Sequence, residues 1–352
     1  MDTPITINID PEGDLFLDAT ADPSNRKRFR VCSQALRRKS PVWKRMLFGP
    51  WKESKPANDK EWVVELPDDP VRPLQIILSI IHSNFDAVPG FTSIEIIHQV
   101  LIMTNKYDIT SIVRPWSLQW LQIAELPSNA AAEVVKSLYI AWELGSEEVF
   151  ASKLEHISLH TELDSKGRLF FDSAILLEEE EFLGPQTALD TISKIRLDLL
   201  QKLISPVHEV LDARTKQQPF CPQNNPYNPG ATKACDAAVL GNIYREMVQA
   251  RGAVLSEFAA DINDSVVNLA AWIFSFMAKI EGIHQGPFGT AAPCAPKSKF
   301  QDLNKSIHDS IPAVVAGFME PGYKEYMAKQ RSKTGVALPP PWENHTTKRH
   351  WD

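Results

Sequence analysis

The sequence predicts an α+β N-terminal domain, a small sheet with helical hairpins, followed by a mostly α-helical region. Three observations predict this class. Apolar residues alternate with polar ones at Ile5, Ile7 and Ile9, which is the period of a half-buried strand. From Pro73 onward they recur every three or four positions, as in a helix that buries one face. Residues 217–230, rich in Pro, Asn and Gln, interrupt the helical region.

The N-terminal elements alternate between short strands and short helices. The predicted strands are residues 5–9, 15–17, 29–31 and 62–66, and helices are predicted over 73–81, 94–102 and 109–113. Strand 29–31 is expected to complete a hairpin with strand 15–17. Two further helices are predicted between residues 33 and 47. Ser33 is expected to cap the first, and Ser40 followed by Pro41 is the start signal of the second.

Helix-forming residues dominate from residue 128 onward. The predicted helices are 134–144, 149–157, 189–211, 235–250, 255–280 and 300–318. Gly145 is expected to end the first of them, because glycine adopts the left-handed conformation found just past a helix. The predicted organisation is a domain over residues 1–125, a helical extension over 126–216, a linker loop over 217–235, a C-terminal helical region over 236–330 and a disordered tail over 331–352.

Composition restricts the classes of partner and compartment. The formal net charge is −7, so the whole chain has no electrostatic attraction to nucleic acid. Four cysteines in 352 residues are too few for a disulfide scaffold. The N-terminus has neither the basic head nor the apolar stretch of a secretory signal, and no segment is suited to span a bilayer. We therefore expect an intracellular protein, cytoplasmic and/or nuclear, with no membrane insertion.

A spaced set of residues in the first third of the chain resembles a known family. These residues are Asp14, Val31, Leu36, Ser40, Pro41, Val42, Trp43, Met46, Leu66, Asp68, Asp69, Lys106 and Tyr107. In type and spacing they resemble the BTB/POZ domain over about residues 5–121. With its long helical extension the chain is similar to divergent fungal BTB proteins. It departs from the family at Cys32, where histidine is usual.

This resemblance implies a function in protein–protein interaction. BTB domains form homo- or hetero-oligomers, or act as adaptors that bring a substrate to a cullin-type ubiquitin ligase. An alternative is a transcription-associated protein that oligomerises through its BTB domain and contacts acidic partners or nucleic acid through a basic patch. The sequence leaves the partner and the oligomeric state open.

The basic patch of that alternative lies in residues 26–55. Its cations are Arg26, Lys27, Arg28, Arg30, Arg37, Arg38, Lys39, Lys44, Arg45, Lys52 and Lys55, against the one acid Glu53. Such a density is able to contact phosphates or an acidic protein. A solvated helix face or a surface for an acidic partner is the favoured interpretation, because neighbouring segments are acidic.

The sequence contains no common catalytic signature. The chain, which has 15 glycines, contains no phosphate-binding loop, no dinucleotide fingerprint, no nucleophile elbow and no zinc-protease motif. We therefore assign no catalytic or cofactor-binding residue and do not expect an enzyme. The strongest metal candidates are Cys221, Cys235 and Cys294 with His284 or His308, which are ligand types that zinc prefers. No C-x-x-C pair occurs among them, so free thiols are favoured; zinc binding, and with it a metal-dependent enzyme, stays open.

Two smaller features complete the candidate sites. His156 and His160 stand four residues apart on a predicted helix, but a third ligand is missing, so two solvated histidines are favoured. Most tryptophans lie in apolar periodic stretches and are expected in the core. Trp51, between Pro50 and Lys52, is the tryptophan expected to be exposed.

Overall fold

The computed structural model describes residues 5–21, 23–57, 60–216, 229–280 and 297–336. The strands are β1 (Ile5–Asn8), β2 (Leu15–Ala19), β3 (Lys27–Val31), β4 (Val63–Leu66), β5 (Thr161–Leu163), β6 (Leu169–Phe171) and β7 (Ile175–Leu176). The helices are α1 (Ser33–Lys39), α2 (Pro41–Phe48), α3 (Val71–Ile81), α4 (Ile94–Lys106), α5 (Ser117–Glu125), α6 (Ala131–Leu144), α7 (Glu147–His160), α8 (Ala188–Lys216), α9 (Pro229–Arg251), α10 (Val266–Met277), α11 (Lys297–Phe318) and α12 (Pro321–Thr334). A small N-terminal sheet with helices is thus followed by a mostly helical region, which confirms the predicted class at this level.

The chain divides into two compact units. The first contains Met1–Phe150, Phe182–Pro185 and Pro321–Asp352, and the second contains Ala151–Glu181 and Gln186–Glu320. Helix α12 therefore belongs to the first unit, although it follows the whole of the second unit in sequence.

The first unit contains a four-stranded sheet in the order β1-β3-β2-β4. Strands β2 and β3 form the predicted antiparallel hairpin, with Leu17 opposite Phe29. Strand β1 pairs in parallel with β3, and β4 pairs in parallel with β2. Leu15, Leu17 and Phe29 are fully buried, as expected when alternate residues of a strand face the core. Helices α1 and α2 form the connection between β3 and β4.

The start of α1 differs from its prediction. Cys32, not Ser33, occupies the N-cap position, and its side chain makes no capping hydrogen bond. Asp14 instead accepts hydrogen bonds from the main-chain N–H and the hydroxyl of Ser33, both at 2.8 Å. Ser40 caps α2 as predicted, because its Oγ accepts a hydrogen bond from the N–H of Trp43 at 2.9 Å. A local pattern identified the second cap, whereas the first depends on a carboxylate from the start of β2.

Helices α3 to α6 complete the core of the first unit. Helix α4 packs against α3 and α6, and α5 packs against α6. Leu74, Ile77 and Leu101 have no exposed surface. Helix α6 ends at Gly145, which has a φ of 82°, as predicted. Glycine is also required there by close approach, since an added Cβ would lie 2.5 Å from the main-chain oxygen of Met327 in α12.

Helix α12 packs on α6 through aromatic rings and through polar contacts. Thr334 Oγ1 donates a hydrogen bond to the main-chain oxygen of Leu144 at 2.8 Å, and Ser117 Oγ donates to that of Thr334 at 2.7 Å. The rings of Trp142 and Tyr326 stack with centroids 4.3 Å apart. Composition predicts a disordered tail from residue 331, but the chain stays helical as far as Thr334 and makes these contacts. Residues 337–352 of that tail lie outside the described residues.

The second unit is built around α8, which packs against α9, α10 and α11. It also contains an antiparallel sheet in the order β5-β6-β7. The sequence does not predict this sheet, because strands of two or three residues are too short to show a period. Arg196 of α8 is 1% exposed. Its guanidinium donates hydrogen bonds to the main-chain oxygens of Thr161, Ile262 and Asp264 at 3.0, 2.7 and 2.8 Å.

Helix bounds in the second unit also differ from prediction. Residues 255–280 are predicted as one helix, but α10 begins only after Ser265, whose Oγ accepts from the N–H of Asn268 at 3.2 Å. Helix α8 continues through Pro206, and α9 begins at Pro229, inside the predicted linker. The remaining linker residues, 217–228, lie outside the described residues, as does nearly all of the predicted loop at 286–297.

Candidate functional site

Residues that carry the family resemblance meet in one cluster of the first unit. Ser40 Oγ donates a hydrogen bond to the main-chain oxygen of Tyr107 at 2.7 Å. The rings of Trp43 and Tyr107 lie with centroids 4.5 Å apart. The Tyr107 hydroxyl donates a hydrogen bond to Asp69, and Nζ of Lys106 lies 2.6 Å from the same carboxylate. Three segments that are distant in sequence are therefore joined through Ser40 and Asp69.

This cluster is suited to anchoring the fold and not to catalysis. Asp69 is 1% exposed and Trp43 is fully buried. Burial, reinforced by the charge of Asp69, raises the pKa of the Tyr107 phenol far above its ordinary value. The hydroxyl therefore stays protonated at neutral pH and acts as a donor, whereas a nucleophile or a base would need an accessible lone pair. The cluster fixes α2 and the turn before α3 to the end of α4.

The position of Cys32 is contacted by a histidine from elsewhere in the first unit. The main-chain N–H of Cys32 donates a hydrogen bond to Nε2 of His82 at 3.0 Å. Nδ1 of His82 lies 2.8 Å from the main-chain oxygen of Leu78, which assigns the ring proton to Nδ1. An imidazole from the end of α3 therefore contacts the start of α1, at the position where the resemblance implies a histidine and this chain has Cys32.

The cations of residues 26–55 separate into two groups. On the sheet side, Arg28 pairs with Asp18 at 2.7 Å and with Glu61 at 3.2 Å, so its charge is neutralised. On helices α1 and α2, the exposed cations make no ion pair with any residue that the structure describes. Four of these line a surface depression of about 530 Å³, which we call the basic depression: Arg37, Arg38, Lys39 and Lys44.

The metal candidates do not assemble within the part of the chain that the structure describes. Cys235 is fully buried in α9, and His308 is exposed on α11. Cys221, Cys294 and His284 lie outside the described residues. Among the residues that are described, no group of three or more His, Cys, Asp or Glu is placed to hold a metal ion.

The histidine pair lies on one face of α7. The rings of His156 and His160 have centroids 4.3 Å apart, and Nδ1 of His160 lies 2.9 Å from the main-chain oxygen of His156. His156 is exposed and His160 is half-exposed. This Nδ1 contact leaves Nε2 as the ring nitrogen of His160 that faces away from the helix main chain.

The first unit exposes apolar side chains at one edge. Phe85 is 55% exposed, and its ring centroid lies 6.0 Å from that of Trp116. Leu118, two positions further at the start of α5, is 58% exposed. We call the exposed Phe85 and Leu118, together with the half-buried Trp116, the apolar patch, because Trp116 contacts Phe85 and lies two residues before Leu118. Neighbouring exposed apolar side chains mark surfaces for other proteins. Trp51 is 61% exposed and Trp43, Trp62, Trp120 and Trp142 are buried, as predicted. Trp116 and Trp272, which were also expected in the core, are only half-buried.

Sequence reasoning missed a buried carboxylate, Glu143 of α6, which is 1% exposed. It accepts hydrogen bonds from the hydroxyl of Tyr326 at 2.7 Å, from the amide of Gln330 at 2.6 Å and from that of Asn105 at 3.1 Å. Burial raises the pKa of Glu143 above its ordinary value, against the lowering effect of these three donors. The sequence offered one signal for this buried carboxylate, which is the presence of a glutamate within the apolar stretch before Gly145.

No family model, no curated protein and no solved structure matches this chain. Within the described ranges, none of the helices combines the length and the apolar character needed to cross a bilayer.

Proposed function

We propose that this chain acts in protein–protein interaction, with a BTB/POZ-type domain in its first unit that oligomerises or serves as an adaptor for a cullin-type ubiquitin ligase. The observation that carries the proposal is the cluster around Asp69. Ser40 and Asp69, two residues of the family spacing, each form a hydrogen bond with a third, Tyr107.

The strand order gives independent support. The hairpin of β2 and β3, followed by two short helices and by a strand parallel to β2, is the element order that the resemblance implies. The apolar patch gives a surface for a partner, since exposed apolar side chains near one another mark interaction surfaces and tryptophan is frequent among binding hot spots. Such a protein acts by presenting a preformed surface and needs no catalytic group.

The test is association of the purified full chain. We expect light scattering after size exclusion to show twice the mass of one chain, or calorimetric titration to show binding to the N-terminal region of a cullin. Phe85→Ser combined with Leu118→Ser is expected to weaken the association that uses the patch by about tenfold or more, because hot-spot side chains contribute 2 kcal/mol or more, as a rough value. Both side chains are exposed, so thermal unfolding is expected to change little.

The matched control is Phe258→Ser, which removes a 66% exposed phenylalanine from the second unit. It is expected to leave association unchanged. A chain that stays monomeric at all concentrations and does not bind the cullin region would contradict the proposal. An equal loss of association in the Phe258 variant would contradict only the role of the apolar patch and would leave the proposed function standing.

A further inference from the structure

The basic depression carries like charges that the rest of the described chain does not neutralise. Arg37, Arg38, Lys39 and Lys44 are exposed and line one depression, and none of them makes an ion pair with a described residue. Four cations placed close together repel one another, and the repulsion is relieved when an anion binds between them. We infer that the basic depression binds an acidic, carboxylate-rich segment of a partner protein; this inference rests on the proposed function in protein–protein interaction.

Helix electrostatics explain only part of this arrangement. Arg37, Arg38 and Lys39 form the last turn of α1, where the partial negative charge of a helix end favours cations. Lys44 lies in the N-terminal half of α2, where the helix dipole disfavours a cation, and the first turn of α2 has no acid to compensate. Lys44 therefore adds positive charge to the depression without a local benefit to its own helix.

The shape and surroundings of the depression favour a protein segment over nucleic acid. The depression is lined by residues of α1, of α2 and of the turn between them, and Arg28, a cation of β3, is paired with Asp18 and Glu61. A nucleic acid strand needs a continuous track of unpaired cations, and the net charge of −7 repels a long polyanion. Gln34 also lines the depression and offers a donor and an acceptor to a peptide main chain.

Cation–π contact holds one member of the set in place. The guanidinium of Arg37 lies over the ring of Phe48, 4.8 Å from its centroid. The charge of Arg37 is thus positioned by α2 while its nitrogen donors remain available, since an arginine stacked on a ring keeps its edge free. Arg38, Lys39 and Lys44 are exposed and make no cation–π contact with a residue that the structure describes.

The experiment measures fluorescence anisotropy of fluorescein-labelled hexaglutamate titrated with the full chain, with labelled hexaglutamine as the uncharged probe. We expect hexaglutamate to bind, hexaglutamine not to bind, and affinity to fall as salt is added. The variant Arg37→Gln, Arg38→Gln, Lys39→Gln and Lys44→Gln is expected to lose affinity by about tenfold or more, because each exposed ion pair contributes modestly and four are removed. A second variant keeps Arg37, and with it the Phe48 contact, and changes the other three.

The matched control changes four exposed cations elsewhere and alters net charge equally: Lys60→Gln, Arg72→Gln, Lys194→Gln and Lys324→Gln. It is expected to bind hexaglutamate within about twofold of the unmodified chain. An equal loss in this control would overturn the inference, because attraction would then come from overall charge. Tighter binding of a labelled oligothymidine than of hexaglutamate would also overturn it, in favour of nucleic acid. If hexaglutamate does not bind while the chain still associates through the apolar patch, the inference fails and the proposed function stands.

Discussion

The two units bury charged side chains in different ways. The first buries carboxylates: Asp69 is contacted by the cation of Lys106, and Glu143 is contacted by neutral donors. The second buries a guanidinium, Arg196, whose donors bind main-chain oxygens of three segments. Burial lowers the pKa of Arg196 to about 10, which still leaves it charged at neutral pH. In both units one buried charge joins segments that are far apart in sequence.

The difference indicates how each unit should respond to substitution and to pH. A buried guanidinium satisfies several carbonyl groups at once, and its removal leaves all of them without a donor. Substitution of a carboxylate that is bound to a cation removes one strong contact. A carboxylate that is bound to neutral groups contributes to the free energy of unfolding by an amount that changes with pH. The expected loss of stability is largest for the guanidinium, smaller for the carboxylate bound to a cation, and smallest for the carboxylate bound to neutral donors.

Substitution of Arg196 is expected to have the largest effect. Arg196→Met keeps the apolar stem but removes the donors to the oxygens of Thr161, Ile262 and Asp264, leaving three buried acceptors unsatisfied. We expect the free energy of unfolding of the second unit to fall by about 3–5 kcal/mol. Urea unfolding followed by circular dichroism measures it. The control Lys194→Met changes an exposed residue of the same helix and is expected to cost under about 0.5 kcal/mol. A loss no larger than that of the control would show that Arg196 is not the anchor of this unit.

Removal of the Asp69 carboxylate is expected to come next. Asp69→Ala leaves the Tyr107 hydroxyl and the ammonium of Lys106 without their acceptor. Lys106 is partly exposed and regains water, so we expect a loss of about 2–4 kcal/mol, borne by the first unit. Thermal unfolding measures this loss, and the control is Asp68→Ala, which changes an exposed neighbouring residue. Equal melting temperatures for the two variants would contradict an anchoring role.

The smallest effect concerns Glu143 and is visible only as a function of pH. Its pKa in the folded state is raised above the ordinary 4.5, so its stabilising contribution is full below that value and is lost as pH rises through the folded pKa. Glu143→Gln mimics the protonated form, so the stability of the variant relative to the unmodified chain should rise as pH rises through the folded pKa of Glu143. Urea unfolding at several pH values measures this difference. The exposed Glu148→Gln should show no such trend, and a flat difference for Glu143→Gln would contradict the assignment.

The sequence predicted elements whose determinants are local and missed those that depend on distant partners. Ser40 and Gly145 were identified because a cap and a left-handed residue leave a signature within a few positions. The cap of α1 was missed because Asp14 supplies it from another strand. Helix α5 was not predicted, and the buried Glu143 and Arg196 were not singled out, since charged residues in amphipathic stretches usually face water.

The same distinction holds for the candidate site. Motif spacing identified Ser40, Asp69 and Tyr107, and the structure brings them into contact. The basic segment was visible as a run of cations. The sequence did not show that Arg28 is paired, whereas the exposed cations of α1 and α2 make no ion pair with a described residue. Pairing depends on where Asp18 and Glu61 lie after folding, and sequence spacing does not report that.

The return of α12 to the first unit has a consequence for biosynthesis. Translation delivers α6, with Trp142 and the carbonyl of Leu144, long before it delivers Tyr326 and Thr334, which contact them. The nascent N-terminal unit therefore leaves the ribosome with an unfilled face and acquires its last helix only after residues 186–320 have been made. Chains are expected to depend on chaperones during this interval, because apolar surface exposed on a nascent domain promotes aggregation. A ribosome stalled before residue 321 would present a protease-sensitive N-terminal unit.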